Sequence, residues 1–294
     1  MKDLQIQYRA TLTMDYLVKA MRRMAHTVVP NGVSPEAYRR LVRSIYERLI
    51  YDPGTQTVTV MSGPLKGMKK HGPFRESDFD FALGQYERET VDALYQFCRP
   101  GMTVFDIGAN AGYLTLLMAK LVGASGHVYA FEPIPQNCQY LSETLRINGL
   151  RNVTVHQVAV SDQVGKAQMN YVGIFDGFAT LINGGHDYYR GQSVNTVSVT
   201  TTTLDHFCND MRIAEIGLIK MDIEGAEMLA LAGMSRILAV QQPVVIIEFW
   251  GAENIIEGTR LLKSQGYSVK TLSAWNGFVR GVKADIQNIL ALPV

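Results

Sequence analysis

The chain predicts an α/β fold: a mostly parallel sheet with helices on both faces, an antiparallel edge at the C-terminus and a helical cap at the N-terminus. Three observations predict it. From Val104 onward, apolar runs alternate with helical patterns, as strands alternate with helices around a parallel sheet. The first run, Val104-Phe105-Asp106-Ile107, opens into the loop Gly108-Ala109-Asn110-Ala111-Gly112 and then a helix. Residues 243–249 are almost continuously apolar, the pattern of a strand buried on both faces.

The elements follow in order. Leu17, Met21 and Met24 share one side of a first helix, stopped by Pro30-Asn31-Gly32. Ser34-Pro35 reads as an N-cap with proline at the first helical position. The helix it opens puts Tyr38, Leu41, Val42, Ile45 and Leu49 on one face. Residues 55–61 alternate as a strand does, and Gly63-Pro64-Leu65-Lys66-Gly67 turns the chain. The cap with its short β-segment is placed at residues 1–83 and the main domain at 84–294. Gly84-Gln85-Tyr86-Glu87 leads into a helix with Val91, Leu94 and Phe97 inward, ended by Pro100-Gly101.

Strand one covers 104–107, and Leu114, Leu117, Met118 and Leu121 recur at helical spacing after it. Strand two covers 128–131. Pro135 starts the next helix, Asn148-Gly149 closes it, and Cys138, Leu141 and Leu145 lie in step along it. Strand three covers 153–160. Residues 173–195, with Phe175, Phe178, His186, Tyr188 and Tyr189, exceed a normal connection and read as a functional loop. Val197 and Val199 alternate with Ser198 and Thr200 in a further strand. Strand four covers 218–222, followed by a helix with Leu229 and Leu231 before Gly233. Strand five is the 243–249 run. A helix through Leu261-Leu262 ends at Gly266, and 267–272 with 277–282 form a hairpin-like antiparallel edge.

Composition limits the function classes. Hydrophobic residues at 47% and charged residues at 19% mark an ordinary globular chain. A net charge of +1 gives no broad nucleic-acid surface, so no nucleic-acid partner is expected. Clusters at Arg22-Arg23, Arg39-Arg40 with Arg43 and Arg48, and Lys66, Lys69 and Lys70 read as solvated faces; an anionic substrate or headgroup site is the sharper alternative. Cys98, Cys138 and Cys208 lack metal spacing and suit a reducing cytoplasm. No apolar run is long enough to span a membrane, and the N-terminus lacks a signal-peptide core. A cytoplasmic location is expected.

The glycine loop carries the chemistry. Glycine lets backbone approach a ligand closely, and a helix start offers free N–H donors. Glu132, ending strand two, can accept hydrogen bonds from a ribose diol. The dinucleotide fingerprint G-x-G-x-x-G cradles a pyrophosphate. Here Asn110 stands where its second glycine belongs and obstructs that approach. Asp106 repels phosphate and suits an amino group. A cofactor with a ribose, an amino acid and no phosphate fits: S-adenosylmethionine.

Asp106-Ile107-Gly108-Ala109-Asn110-Ala111-Gly112-Tyr113, Ala130-Phe131-Glu132-Pro133, Ile219-Lys220-Met221-Asp222-Ile223-Glu224-Gly225-Ala226-Glu227 and Ile246-Ile247-Glu248-Phe249 together resemble the motif set of the FkbM-type methyltransferases. Gly84-Gln85-Tyr86-Glu87 resembles a further signature upstream, so the likeness spans residues 84–282. It implies a Rossmann-like class I methyltransferase with a seven-stranded sheet. It further implies methyl transfer from S-adenosylmethionine to a hydroxyl of a sugar, glycan or natural-product acceptor. By position, Asp106 and the backbone at Gly108, Asn110 and Gly112 would hold the methionine end, and Glu132 with Pro133 the ribose side. Ala159 and Val160 would flank the adenine, and Tyr86-Glu87 would close over the cofactor.

The acceptor belongs at the end of strand four, where Asp222 and Glu224 could orient or deprotonate a hydroxyl if burial raises their pKa. Asp222 could instead brace the loop, and Glu224-Gly225 could cap the following helix. Glu248 is a third carboxylate, and His186 is the histidine best placed as a base. Asp222, Glu224 and Glu248 could gather around Mg²⁺, but nothing in their spacing demands it, and no metal is predicted. The rival readings are an NAD-dependent oxidoreductase, a nucleic-acid methyltransferase and a catalytically silent binding module of this fold. Homo-oligomerisation stays open.

Overall fold

The computed structural model describes residues 50–75, 77–171, 179–181, 195–279 and 282–294. The two helices expected before residue 50 lie outside these residues. So do most of the 173–195 loop and its His186. The chain divides into two compact units between Tyr86 and Glu87.

In the first unit, β1 (Tyr51–Asp52), β2 (Thr57–Thr59) and β3 (Lys69–His71) form an antiparallel sheet in that order, followed by α1 (Asp78–Ala82). The strand expected over 55–61 shrinks to three residues because Asp52 organises a turn before it. The Asp52 carboxylate accepts from the Gly54 N–H at 2.9 Å and the Thr55 hydroxyl at 2.8 Å. Lys70 departs from the solvated-face expectation. It is 2% exposed, and its ammonium donates to both Asp78 oxygens at 2.6 and 2.8 Å. Lys66 and Lys69 are exposed. The Gly63 turn lies directly against Gly84, where an added Cβ would sit 2.5 Å from the Ser62 carbonyl oxygen.

The second unit opens with α2 (Arg88–Phe97), β4 (Thr103–Ile107) and α3 (Tyr113–Val122). Next come β5 (His127–Phe131), α4 (Pro135–Ile147), β6 (Val153–His156) and β7 (Ala159–Val160). A side sheet follows from β8 (Gly165–Tyr171), β9 (Ala179–Thr180) and β10 (Asn195–Thr202), then α5 (Leu204–Met211). The chain re-enters the main sheet at β11 (Leu218–Met221), with α6 (Glu227–Ala232), a π-helical turn (Ile237–Gln241) and β12 (Val244–Trp250). It closes with α7 (Ala252–Ser264), β13 (Tyr267–Val279) and β14 (Val282–Pro293).

The main sheet has seven strands in the order β13-β14-β12-β11-β4-β5-β6. β12, β11, β4, β5 and β6 are parallel neighbours, while β14 runs antiparallel to both β12 and β13. From β4 the chain builds outward to β6, then returns to lay β11 on the other side of β4. Strand order therefore reverses between β4 and β11, and in open α/β sheets the crevice at such a reversal receives the ligand.

Side chains alternate across the sheet with period two. Phe105, Ile107, Ile219, Met221, Ile247 and Phe249 build the larger core on one face, with Leu204 and Phe207 of α5, Ala230 and Leu231 of α6, and Leu262 of α7. Asp106 and Lys220 face the other way, in register with each other. Thr115 of α3 bonds Asp106, so α3 covers that second face. α3 is buried nearly all round, wider than the stripe its spacing suggests.

Two boundaries differ from expectation. The run over 153–160 is one expected strand in sequence but two strands in space. The Val158 N–H donates back to the His156 carbonyl at 2.9 Å, a tight turn that ends β6. Ala159 and Val160 then pair with β10 in the side sheet, ordered β7-β10-β8-β9, rather than extending β6. The C-terminal hairpin is also longer than expected. Asn276-Gly277 looks like a turn in isolation, yet both residues stay in the ladder, opposite Asp285 and Ala284. The reversal comes between Val279 and Val282, and the added strand twist is taken up by an irregularity between Thr271 and Ser273.

Candidate active site

The glycine loop joins β4 to α3 at the strand-order reversal. Gly108 has φ +80°, and a Cβ there would lie 1.8 Å from the Asp222 carbonyl oxygen. Gly112 has φ +91°, and a Cβ would lie 2.3 Å from a Leu141 methyl. Both glycines are therefore demanded by the protein's own packing, before any ligand approaches. Asn110 also has a left-handed backbone, φ 47°, which asparagine tolerates better than most side chains.

The loop's N–H groups are already engaged. Gly108 and Ala109 both donate to the Phe131 carbonyl at 3.0 Å, Gly112 donates to Ala109, and Asn110 donates to Glu132 Oε2 at 2.8 Å. The N–H groups of Gly108, Asn110 and Gly112 are thus bound within the protein, an arrangement unlike a phosphate-binding nest. Glu132 is 4% exposed, and its Oε1 accepts from the Ile134 N–H at 2.9 Å and Asn137 Nδ2 at 3.3 Å. The carboxylate expected at the ribose thus also clasps the glycine loop to the start of α4. Pro133 follows it, half-buried.

Asp106 is 1% exposed. Its Oδ2 accepts from the Thr115 hydroxyl at 2.5 Å, while Oδ1 has no hydrogen bond. Lys220 Nζ lies 3.8 Å from Asp106 Oδ1 and 3.8 Å from Asp222 Oδ2. Asp222 Oδ1 is buried without a hydrogen-bond partner. Burial raises the Asp106 carboxyl above the usual range, with Lys220 and Thr115 opposing. Burial alone would depress Lys220, but Asp222, Asp106, Glu87 and Glu248 together hold it above its ordinary value, so it stays an ammonium.

Three glutamates gather beside this group. Glu224 sits half-buried in a left-handed turn with φ 57°. Burial first, then Asp222, Glu248 and Glu227, push its carboxyl well above the normal range. Glu227 has no exposed surface and is pushed up to about 8 by burial. Its Oε1 accepts from the Gly225 N–H at 2.7 Å. That bond braces the Gly225 turn, and the helix start that Glu224 was weighed to cap carries no side-chain cap. Glu248, also raised to about 8 by burial and Asp222, accepts from Trp250 Nε1 at 3.0 Å and Asn288 Nδ2 at 2.8 Å. Glu87 begins α2 with φ 42° and adds its charge to the same group through Lys220 and Glu248.

Asp106, Asp222, Glu224 and Glu248 thus converge at the C-terminal edge, with Glu87 in their field. Ala159 and Val160 are buried on the side sheet, Val160 within the main core and Ala159 against Ile134, Met169 and Val199. Among the described residues, no group of His, Cys, Asp or Glu is arranged to hold a metal ion. Sequence reasoning missed three participants: Lys220, Thr115 and Glu227. Lys220 carried the clearest signal, a lysine inside the fully buried run 218–221.

Residues 106–269 match the Methyltransferase FkbM domain. The 31-O-demethyl-FK506 methyltransferase FkbM of Streptomyces tacrolimicus is 31% identical over 198 residues, 58% of this chain and 74% of that protein. The chain belongs to the FkbM methyltransferase family. A protein-L-isoaspartate O-methyltransferase of Aeropyrum pernix is 44% identical over 64 residues, 22% of this chain and 24% of that protein. A solved structure of methyltransferase FkbM from Methylobacillus flagellatus KT is 18% identical, with TM-score 0.43, over 71% of this chain and 52% of its own.

Membership in the FkbM family makes S-adenosylmethionine the methyl donor. The residues present fit it. Asp106 offers a buried carboxylate oxygen without a hydrogen bond, and the loop beside it has its N–H donors engaged, as suits an amino group rather than a phosphate.

The buried Glu227 has a consequence for this methyltransferase's stability. Its folded pKa, about 8, lies above the ordinary 4.5, so the folded state holds its proton more tightly than the unfolded chain. Stability from this group is complete below the unfolded value and declines as pH rises through the folded value. Glu227→Gln, which cannot ionise, is expected to flatten the fall in melting temperature between pH 5.5 and 8.5. Melting curves that fall equally in both proteins would exclude this account.

Proposed function

We propose that this methyltransferase methylates a hydroxyl on a sugar, glycan or natural-product acceptor. The observation that carries the reading is the carboxyl cluster at the strand-order reversal. Asp222 reaches the edge of the sheet with Lys220 behind it, and Glu224 and Glu248 stand beside it with raised pKa. A sugar or alkyl hydroxyl ionises poorly, so an acceptor for its proton is what transfer to such an oxygen needs. The names of two relatives also speak of O-methylation, one of a natural product and one of isoaspartate.

S-adenosylmethionine, when bound, supplies a methyl group already activated on sulfur. The chain's own residues orient and exclude water. Asp106 receives the amino group, and Glu132 receives the ribose while keeping the loop in place. Pro133 lies beside Glu132 on the ribose side, Ala159 and Val160 bound the adenine, and Glu87 closes over the cofactor. Asp222 orients the acceptor hydroxyl and takes up its proton as the new bond forms. Glu224, its carboxyl raised well above the ordinary range by burial, stands beside the acceptor. His186, within residues 173–195, stays a second choice of base. The three described cysteines are free and buried, consistent with a reducing cytoplasm.

Isothermal titration with S-adenosylhomocysteine is expected to show one site per chain at micromolar affinity or better. Absence of heat at millimolar ligand would overturn the cofactor assignment. Turnover of a panel of sugars and polyketides, with none methylated on oxygen, would overturn the acceptor class.

A further inference from the structure

Lys220 has no place in the reading above beyond its charge, yet it occupies the centre of the site. It lies on β11, the middle strand of the sheet, opposite Asp106 of β4 and Ile246 of β12. It is 5% exposed. A solitary ammonium in such a place would cost several kcal/mol in desolvation, and lysine is rarely buried without a partner. Here it stands 3.8 Å from one carboxylate on either side, too far for a direct hydrogen bond to either. The oxygen it approaches on Asp106 is the one without a hydrogen bond, while Thr115 fixes the other.

The groups facing this ammonium are all acidic. Asp106 faces it from β4, Asp222 and Glu224 from the β11–α6 connection, Glu248 from β12 and Glu87 from the start of α2. Glu227 of α6 and Tyr113 of α3 join the same field through Glu224 and Glu87. Lys220 opposes the upward shift of Asp106, Glu224 and Glu248 alike. Without a counter-charge, carboxyls this close and this buried would share protons.

We propose that Lys220 is a positioning residue for methyl transfer, its ammonium standing between the Asp106 and Asp222 carboxylates and holding them in place so that one receives the cofactor's amino group and the other the acceptor's hydroxyl. The inference rests on the methyl-transfer reading above. It gives Lys220 an electrostatic task that packing alone would not require. A methionine of similar length could fill the same space.

The test is the pH dependence of S-adenosylhomocysteine binding, followed by titration calorimetry from pH 6 to pH 9. Lys220→Met removes the counter-charge, so its carboxyls take up protons at higher pH. Relative to wild type, its affinity is expected to fall at least about tenfold more between pH 9 and pH 6, a tenfold change being one unit of carboxyl pKa. A folded Lys220→Met whose affinity runs parallel to wild type would overturn the proposal, whatever its loss of thermal stability. If that variant does not fold, Lys220→Gln removes the charge while keeping a polar group between the carboxylates. Its binding should depend on pH more steeply than wild type, and parallel curves would again overturn the proposal. Wild type that binds no S-adenosylhomocysteine at any pH would overturn the methyl-transfer reading itself, and this inference with it.

Discussion

Asp222→Asn is expected to slow methyl transfer by about 100- to 10,000-fold, the range for loss of a general base. S-adenosylhomocysteine affinity should stay within about tenfold of wild type, because a group that acts on the acceptor's proton contributes mainly in the transition state. The substitution keeps side-chain size and leaves untouched the Asp222 main chain, whose carbonyl lies against Gly108 and whose N–H donates to Ile107 at 3.0 Å. Glu224→Gln is the informative companion. Burial and neighbouring carboxyls raise the Glu224 carboxyl well above its ordinary range, and glutamine resembles the protonated form, so its loss should be smaller. Single-turnover rates with an acceptor that the wild type methylates would separate the two. Wild-type rates in Asp222→Asn would remove Asp222 from the chemistry and leave it as a loop brace.

Gly108→Ala is expected to be the most damaging single methyl addition in the glycine loop. The added Cβ would overlap the Asp222 carbonyl oxygen at 1.8 Å, and the φ of +80° is strained for any side chain. Backbone strain plus forced displacement predicts a loss of about 3 kcal/mol or more. For a domain of this size that lowers the melting temperature by about 6–12 °C. Gly149→Ala is the control. Its φ is +68° but nothing lies within 4 Å of the new methyl, so only the strain of about 1 kcal/mol remains. A Gly108→Ala protein that melts beside the Gly149→Ala control would show that β4 and the Asp222 segment can separate freely. The site as described would then not be rigid.

Local patterns made much of this architecture legible. The parallel strands read as short apolar runs between helices, because burial on both faces leaves no room for alternation. The loop after β4 read as a cofactor site because Gly108, Asn110 and Gly112 are close in sequence. Where two alternatives were both locally reasonable, sequence could not choose. Residues 153–160 read as one strand, and only the His156–Val158 turn splits them between two sheets. Asn276-Gly277 has turn chemistry, yet it stays in the ladder because β14 continues opposite it.

The site residues divide along the same line. Asp106, Glu132 and Asp222 stand out because each ends an apolar run with an acid. The reason for Gly108 was only half visible: its neighbour is the Asp222 carbonyl, more than a hundred residues away in the chain. Glu227 looks like an ordinary first-turn glutamate and proves to be fully buried, bonded to Gly225.

By itself, then, the sequence determined the fold class, the family and the kind of cofactor, because these follow from periodicity and from motifs that are contiguous along the chain. Tertiary structure alone decided that Lys220 stands between Asp106 and Asp222 and that four further carboxyls share its field. It also decided that the loop's N–H groups are already bound. Those facts depend on the register between β4 and β11, strands laid side by side only after the chain has built and left one half of the sheet. Coulomb energies and pKa shifts depend on distance and burial, and neither is written in the order of residues.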